Sequence, residues 1–297
     1  MFMSFRPLFP VFRLLAAVVA IGANGPAVAQ IQLQGAIGGG QPGNPIEQGV
    51  AVRAPNESSV IGRQLRHNGA NGRLAFEKHG ADFVISRLVL SGEKISGRSE
   101  SCEIEVTGGP FVLRPMRRLE GLRRFEAAIP ACPFTIEILD GAVQINVGDA
   151  TSSTPNAGYC EFKAADCRGS LAGLWGPAGA AMSPADIAQN ERMRGLAEKN
   201  AQANYRALIA SAGKDRAKVR MTASEQAGFS SRRTERCEDY AGEARHGFCA
   251  SRLTDAWAIA LRARQNPAAF EAEEAHTARK PAPARGPAMQ LGAPVGR

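Results

Sequence analysis

Six cysteines, four histidines and one dense run of arginines are the residues of this 297-residue chain whose types and spacing could do chemistry. Cys102, Cys132, Cys160, Cys167, Cys237 and Cys249 contain no C-x-x-C pair, so thiol exchange has no motif to work through. An even set of cysteines suits covalent crosslinks instead. His67, His79, His246 and His276 stand apart from one another, none at metal-ligand spacing, so neither a metal nor any other cofactor is expected. The chain has no G-x-S-x-G elbow, S-x-x-K or H-E-x-x-H, and its Gly38–Gly40 run has no strand and helix to frame a phosphate. The nearest acidic pairs are Glu77 with Asp82 and Glu238 with Asp239. Glycosidase carboxylates must face each other across about 5 to 10 Å of cleft, whereas neighbours on one helix point about 100° apart. Solvated helix charges are the expectation, and the chain reads as a non-enzyme. The arginines are a stronger signal. In R-P-M-R-R-L-E-G-L-R-R, Arg114, Arg117, Arg118, Arg123 and Arg124 fall within one turn region, partly neutralised by Glu120 and Glu126. Guanidinium groups grip phosphate and carboxylate bidentately, so this loop is a candidate polyanion-binding site.

The compartment follows from the N-terminus. Arg6 and Arg13 precede an apolar run from Leu14 to about Ala23, and Ala27-Val28-Ala29 forms a small-x-small cleavage site, so residues 1–29 read as a signal peptide. The run is shorter than the roughly 20 apolar residues of a bilayer span, and no transmembrane anchor is expected after cleavage. All six cysteines lie beyond that site, in a chain bound for an oxidising space, expected to be a bacterial periplasm or the cell exterior. Loss of the two signal-peptide arginines lowers the formal charge from +8 to +6, since that segment holds no acid. A basic exported protein favours anionic envelope polymers as partners, and nucleic acid is excluded by compartment.

Stepping outward from these residues, residues 30–58 and 266–297 are rich in Gly, Pro, Gln or Ala and hold few bulky side chains; they are expected to be a flexible leader and a disordered tail. From 59 to 150 short alternating apolar runs are separated by turn pairs: Leu74–Phe76, Phe83–Leu90, Ile104–Val106, Phe111–Leu113, Phe125–Ile129, Phe134–Leu139 and Val143–Val147. Asp140-Gly141, between T-I-E-I-L and A-V-Q-I-N-V, is the clearest hairpin. A small antiparallel β domain is predicted, either a sandwich or a barrel. Residues 151–182 read as a cysteine-containing linker in which Trp175 anchors a turn. A helical domain is predicted over 183–265, giving an α+β fold with three helices. Ser183-Pro184-Ala185-Asp186 supplies a cap, a first-turn proline and an early acid. The first helix is predicted to stop near Gly213, the second to run from about Asp215 to Tyr240 and the third from Phe248 to Arg264.

The last two helices carry little apolar surface and need a restraint. A Cys237–Cys249 bridge closes about a dozen residues and supplies on the order of 3 kcal/mol through chain entropy. By the same local logic Cys102 would join Cys132 and Cys160 would join Cys167, although six cysteines allow 15 pairings.

Within 226–264, Gln226, Phe229, Arg232, Arg233, Cys237, Cys249, Arg252, Leu253 and Leu261 stand where secreted helical domains of the LprI type, named for lysozyme inhibition, place a Gln and an aromatic, an Arg-rich turn, two cysteines and a closing helix. The C-terminal third resembles that family. The resemblance implies a disulfide-stapled helix pair, a lysozyme or other wall hydrolase as partner, and an interaction surface around Arg233, Glu238, Asp239, Tyr240, Glu243 and Arg252. Such hydrolases are usually basic, so a +6 chain must meet them through a locally acidic patch, for which E-D-Y-A-G-E is the candidate. The other reading is an envelope scaffold that binds peptidoglycan or lipopolysaccharide polyanions through the arginine loop.

Overall fold

The computed structural model describes residues 49–129, 132–147 and 158–268. The expected signal peptide, residues 30–48 of the leader, the polar break at 151–157 and most of the tail, with His276, lie outside the described residues. The described residues group into one compact unit.

The alternating runs form strands because one face of each must leave water. The strands are β1 (Gln64–His67), β2 (Asn71–His79), β3 (Asp82–Lys94), β4 (Ser101–Glu105), β5 (Phe111–Leu119), β6 (Leu122–Ala127), β7 (Phe134–Leu139), β8 (Ala142–Val147), β9 (Tyr159–Phe162), β10 (Cys167–Ser170) and β11 (Gly173–Gly176). Pairing runs β2–β1–β11–β8–β7–β6–β5–β3, and β3 pairs back onto β2. Every pairing is antiparallel, so the eight strands close on themselves into a barrel, which removes their edges. Beyond the ring, the far end of β3 pairs with β4 and β10, and β9 adds to β10. The Asp140-Gly141 turn joins β7 to β8 in the expected register, Leu139 opposite Ala142.

The barrel interior is filled rather than hollow. Leu74, Phe76, Ile85, Leu90, Ile136, Ile138, Ile145 and Trp175 are wholly or almost wholly buried there. Phe83 stacks on Phe76 at 5.0 Å and meets Phe125 edge-on at 5.1 Å. A bulge keeps the long strand in phase: Ala75 faces Arg87 but Phe76 faces Ile85, so the inward set changes from Phe83 and Ile85 to Leu88 and Leu90. Trp175 sits on β11, inside the stretch expected to be a linker. Its ring is fully buried and its Nε1 donates to the Leu171 carbonyl at 2.8 Å. The linker expectation is therefore corrected: 159–176 supplies three strands, one of which closes the ring. The leader is corrected at its end too, because Val52 packs against the helices and Asn56 caps a short turn at Glu57–Ser59.

Helices follow the sheet: α1 (Pro184–Ala212), α2 (Arg216–Glu238), the single turn α3 (Glu243–His246) and α4 (Phe248–Gln265). The predicted start of α1 is a full capping box, in which Ser183 Oγ accepts from Asp186 N at 3.2 Å and Ser183 N donates to the Asp186 carboxylate at 2.9 Å. α4 is the middle layer. Leu253 and Ile259 pack with Leu122, Leu139, Ala142 and Leu174 of the outer barrel wall, while Ala258 and Leu261 pack with Ala201 and Leu208 of α1.

All six cysteines are paired, but only one of the local pairings occurs. Cys237 joins Cys249, whereas Cys102 joins Cys167 and Cys132 joins Cys160. The expected Cys102–Cys132 and Cys160–Cys167 pairs are corrected because β9 and β10 return to the sheet and carry their cysteines to β4 and to the start of β7. These pairs span 65 and 28 residues against 12 for the helical staple. By chain entropy that is worth about 4, about 3.5 and about 3 kcal/mol respectively.

Candidate functional site

The stapled end of the helix layer brings together most of the residues that the LprI resemblance singled out. α4 begins after Gly247, which has no side chain with which to cap a helix. The Glu243 carboxylate does so instead, accepting from Cys249 N and Ala250 N, each at 2.9 Å. Its negative charge complements the helix dipole there. His246 is buried beside it; Phe248 N donates to Nδ1 at 3.2 Å and Nε2 faces the Ala241 carbonyl at 2.8 Å, an arrangement that fits the neutral Nε2–H tautomer. Tyr240 is buried, donates its hydroxyl to Pro177 O at 2.7 Å, and is pushed well above its ordinary pKa by burial, with Glu243 adding to the shift.

Arg252 lies over the Phe248 ring at 4.7 Å, donates to Ser251 Oγ at 3.1 Å and faces Asp140 of the β7–β8 turn at 3.7 Å. Burial lowers its pKa, against the opposing pull of Asp140 and Asp255. Asp255, on the same helix, is raised to about 6 by burial, with Arg252 opposing and Asp140 adding to the shift. Tyr240 and Arg252 are buried and act as internal fasteners, while Glu243 both caps α4 and lines the cleft between α1, α2 and α3. Glu238 and Asp239 are exposed; Arg233 is half-buried, donating to Thr254 Oγ1 at 2.9 Å.

Two clefts flank this end. One, of about 740 Å³, lies between the start of α1, the end of α2 and α3, with Glu191, Arg194, Glu238 and Arg245 on its walls. The other, of about 400 Å³, lies where α2, α4 and the outer barrel wall meet and is lined by Glu137, Phe229, Arg236 and Trp257 among others. Phe229 and Trp257 stack there at 5.1 Å and 8°, and Trp257 Nε1 donates to Gln226 Oε1 at 2.8 Å. Arg264 covers Trp257 and is clasped by Glu120 and Glu225. Glu137, 3.4 Å from Arg124, has its pKa raised by burial despite the opposing charges of Arg124 and Arg236.

Charge is unevenly spread along the α1–α2 pair. Residues 183–198 and 225–246, at the stapled end, hold eight acids and six arginines, a net −2; residues 199–224, at the far end, hold six cations and the single acid Asp215, a net +5. The far end alone therefore accounts for most of the +6 expected of the mature chain.

The five arginines of the predicted loop are distributed over a hairpin. Arg114, Arg117 and Arg118 lie on β5, and Arg123 and Arg124 on β6. Arg123 is bound to Glu57 at 2.6 Å and Arg124 to Glu137, while Arg114 stands opposite Glu126 in the ladder. The strands, not a loop, divide the set because outward positions alternate with the inward Leu113 and Phe125. Glu77, bridged to His79 at 3.4 Å, and Asp82 flank the β2–β3 turn on the solvent side. Among the described residues no three His, Cys, Asp or Glu side chains form a group that could hold a metal ion. The Gln226–Trp257 bond and the Glu243 cap were missed in the sequence, and only the four-residue distance from Glu243 to Gly247 hinted at the second.

No protein-family model, curated protein or solved structure matches the chain.

Proposed function

We propose that the protein is an exported binding protein whose stapled helix end docks on a cationic partner of the wall-hydrolase kind, as an inhibitor does. The observation that carries this reading is the charge segregation along α1 and α2. A uniformly basic surface would repel a basic hydrolase, but the stapled end is net −2: Glu191 and Glu238 are exposed on the walls of the 740 Å³ cleft, among Arg194 and Arg245, and Glu235 and Asp239 are exposed on the neighbouring end of α2. Opposite local charge raises the encounter rate and fixes orientation even where overall charges are alike. Rigidity supports the same reading. The Cys237–Cys249 crosslink, the Glu243 cap and the Tyr240–Pro177 bond hold the rim in one shape, which lowers the ordering cost of binding.

Purified mature chain titrated into a lysozyme turnover assay tests the proposal. Stoichiometric inhibition that survives physiological salt is expected. Reversing Glu238 and Asp239 to Lys together should weaken it by tenfold or more, since both charges lie at the rim and their change should leave the fold intact. Undiminished turnover at saturating wild-type protein, across lysozymes of different type, would overturn the reading.

A further inference from the structure

The far end of the α1–α2 pair is a second surface, and its chemistry is independent of the stapled end. α4 runs alongside α1 and ends there: Asn204 Nδ2 donates to the Ala258 carbonyl at 3.0 Å, and Gln265 Nε2 donates to the Asn204 carbonyl at 2.7 Å. On the other flank Arg264 of α4 reaches Glu225 of α2. Residues 205–224, the end of α1 and the start of α2, form the far end of this layer; Tyr205 and Leu208 still pack against α4, and the turn at Gly213 joins the two helices beyond them. Arg206, Lys214, Arg216, Lys218 and Arg220 all lie on it and all are exposed. The one acid there, Asp215, is spent as the cap of α2, accepting from Ala217 N and Lys218 N, each at 3.0 Å. The next acids in either direction are engaged, Glu198 with Arg194 and Arg233, and Glu225 with Arg264. One large apolar side chain breaks the cationic surface: Met221, 57% exposed, on the solvent face between Lys218 and Arg220.

We propose that this far end docks the protein on an anionic lipid surface. A helix-pair end that exposes five long cations and one apolar side chain suits a flat sheet of phosphate headgroups, which accepts the charges at its surface and the thioether between the heads. A linear polymer would be better served by a groove or an extended track of cations, and this end has neither. Each cation held at an anionic leaflet strengthens partition by about fivefold, so five give binding that falls steeply with salt. α1 is 29 residues, about 43 Å, so a protein seated by this far end would hold its stapled end well clear of the surface.

The test is co-sedimentation of the mature chain with vesicles of phosphatidylcholine containing one part in three phosphatidylglycerol. Binding is expected at low salt, with at least a tenfold loss when Lys214, Arg216, Lys218 and Arg220 are changed to Ser, and about a twofold loss for Met221→Ser. Asp215 stays in place to keep the cap, and an unchanged disulfide map and helical circular dichroism show that the variant folds. Changing Arg114 and Arg117 to Ser should leave partition unaltered. Equal partition of the wild type and the fourfold variant would overturn the assignment to this end. Retention on heparin without sedimentation on anionic vesicles would overturn the lipid and favour a soluble polyanion.

Discussion

The barrel and the helix layer bury their interiors by opposite means. Inside the barrel the contacts are aliphatic and aromatic, whereas seven of the eight buried polar or charged residues among those described, Asn190, Asn204, Thr222, His246, Ser251, Arg252 and Thr254, belong to the helices; the eighth, Gln144, lies on β8 beneath them. Apolar burial stabilises in proportion to area and is indifferent to direction. Buried hydrogen bonds contribute about 1 kcal/mol net but fix geometry. The barrel is thus the source of stability, and the helix layer is the part whose shape is specified by directed bonds.

The sharpest way to break that comparison is to remove one tryptophan from each region. Trp175→Ala should cost about 4 to 5 kcal/mol, because a closed ring of paired strands cannot collapse into the space. Trp257→Ala should cost less, about 2 to 3 kcal/mol, since that side chain borders an open cleft and water can enter behind it. Urea unfolding at neutral pH checks both; equal losses would mean that the two interiors are equally tight.

The disulfides sharpen the same contrast. Replacing Cys102 and Cys167 together by Ala should lower stability by about 4 kcal/mol, and the Cys237–Cys249 pair by about 3 kcal/mol, following the residues each closes. The barrel pair should leave the stapled end intact, so under the proposed function inhibition of lysozyme should survive its loss and decline with the shorter one. A larger stability loss from the helical pair would show that the polar layer depends on its crosslink more than loop length implies.

What was legible in the sequence divides along the same line. β2 to β8 stand where alternation placed them, and α1, α2 and α4 agree with their caps and periodicity to within a few residues, because these signals are local. β11 was hidden, since a four-residue run ending at Gly176 has too few positions to show a period, yet it closes the barrel. The two long disulfides were hidden for a related reason: their partners are set by strand order, which no local spacing encodes. The second helix was expected to carry little apolar surface, and its polar positions find partners instead, Gln226 bonding Trp257 and Arg233 bonding Thr254. Tyr240 and Arg252, two of the six residues expected at the interaction surface, are buried, since a polar side chain in a sequence does not reveal whether it faces water or a neighbouring element.

The pH dependence tests whether the polar layer costs stability. Asp255 is raised to about 6 from an ordinary value near 3.8, with burial the largest cause. A carboxyl whose folded pKa lies above its unfolded one binds its proton more tightly in the native state, so its contribution weakens as pH rises from about 4 to about 6 and stays low above that. At neutral pH the ionised group therefore destabilises the fold by about 3 kcal/mol, a figure that already includes the attraction of Arg252. Asp255→Asn should raise the urea midpoint at pH 7 and leave it nearly unchanged at pH 4. His67 works in the other direction. Burial lowers its pKa, so the stability tied to its neutral form is present above about pH 6.5 and is lost as pH falls through its depressed folded value. Unfolding midpoints from pH 4 to pH 8 in the wild type, Asp255→Asn and His67→Gln separate the two. If the Asn variant lost stability at pH 7, attraction between Asp255 and Arg252 would outweigh desolvation, and the charged network on α4 would be a net source of stability.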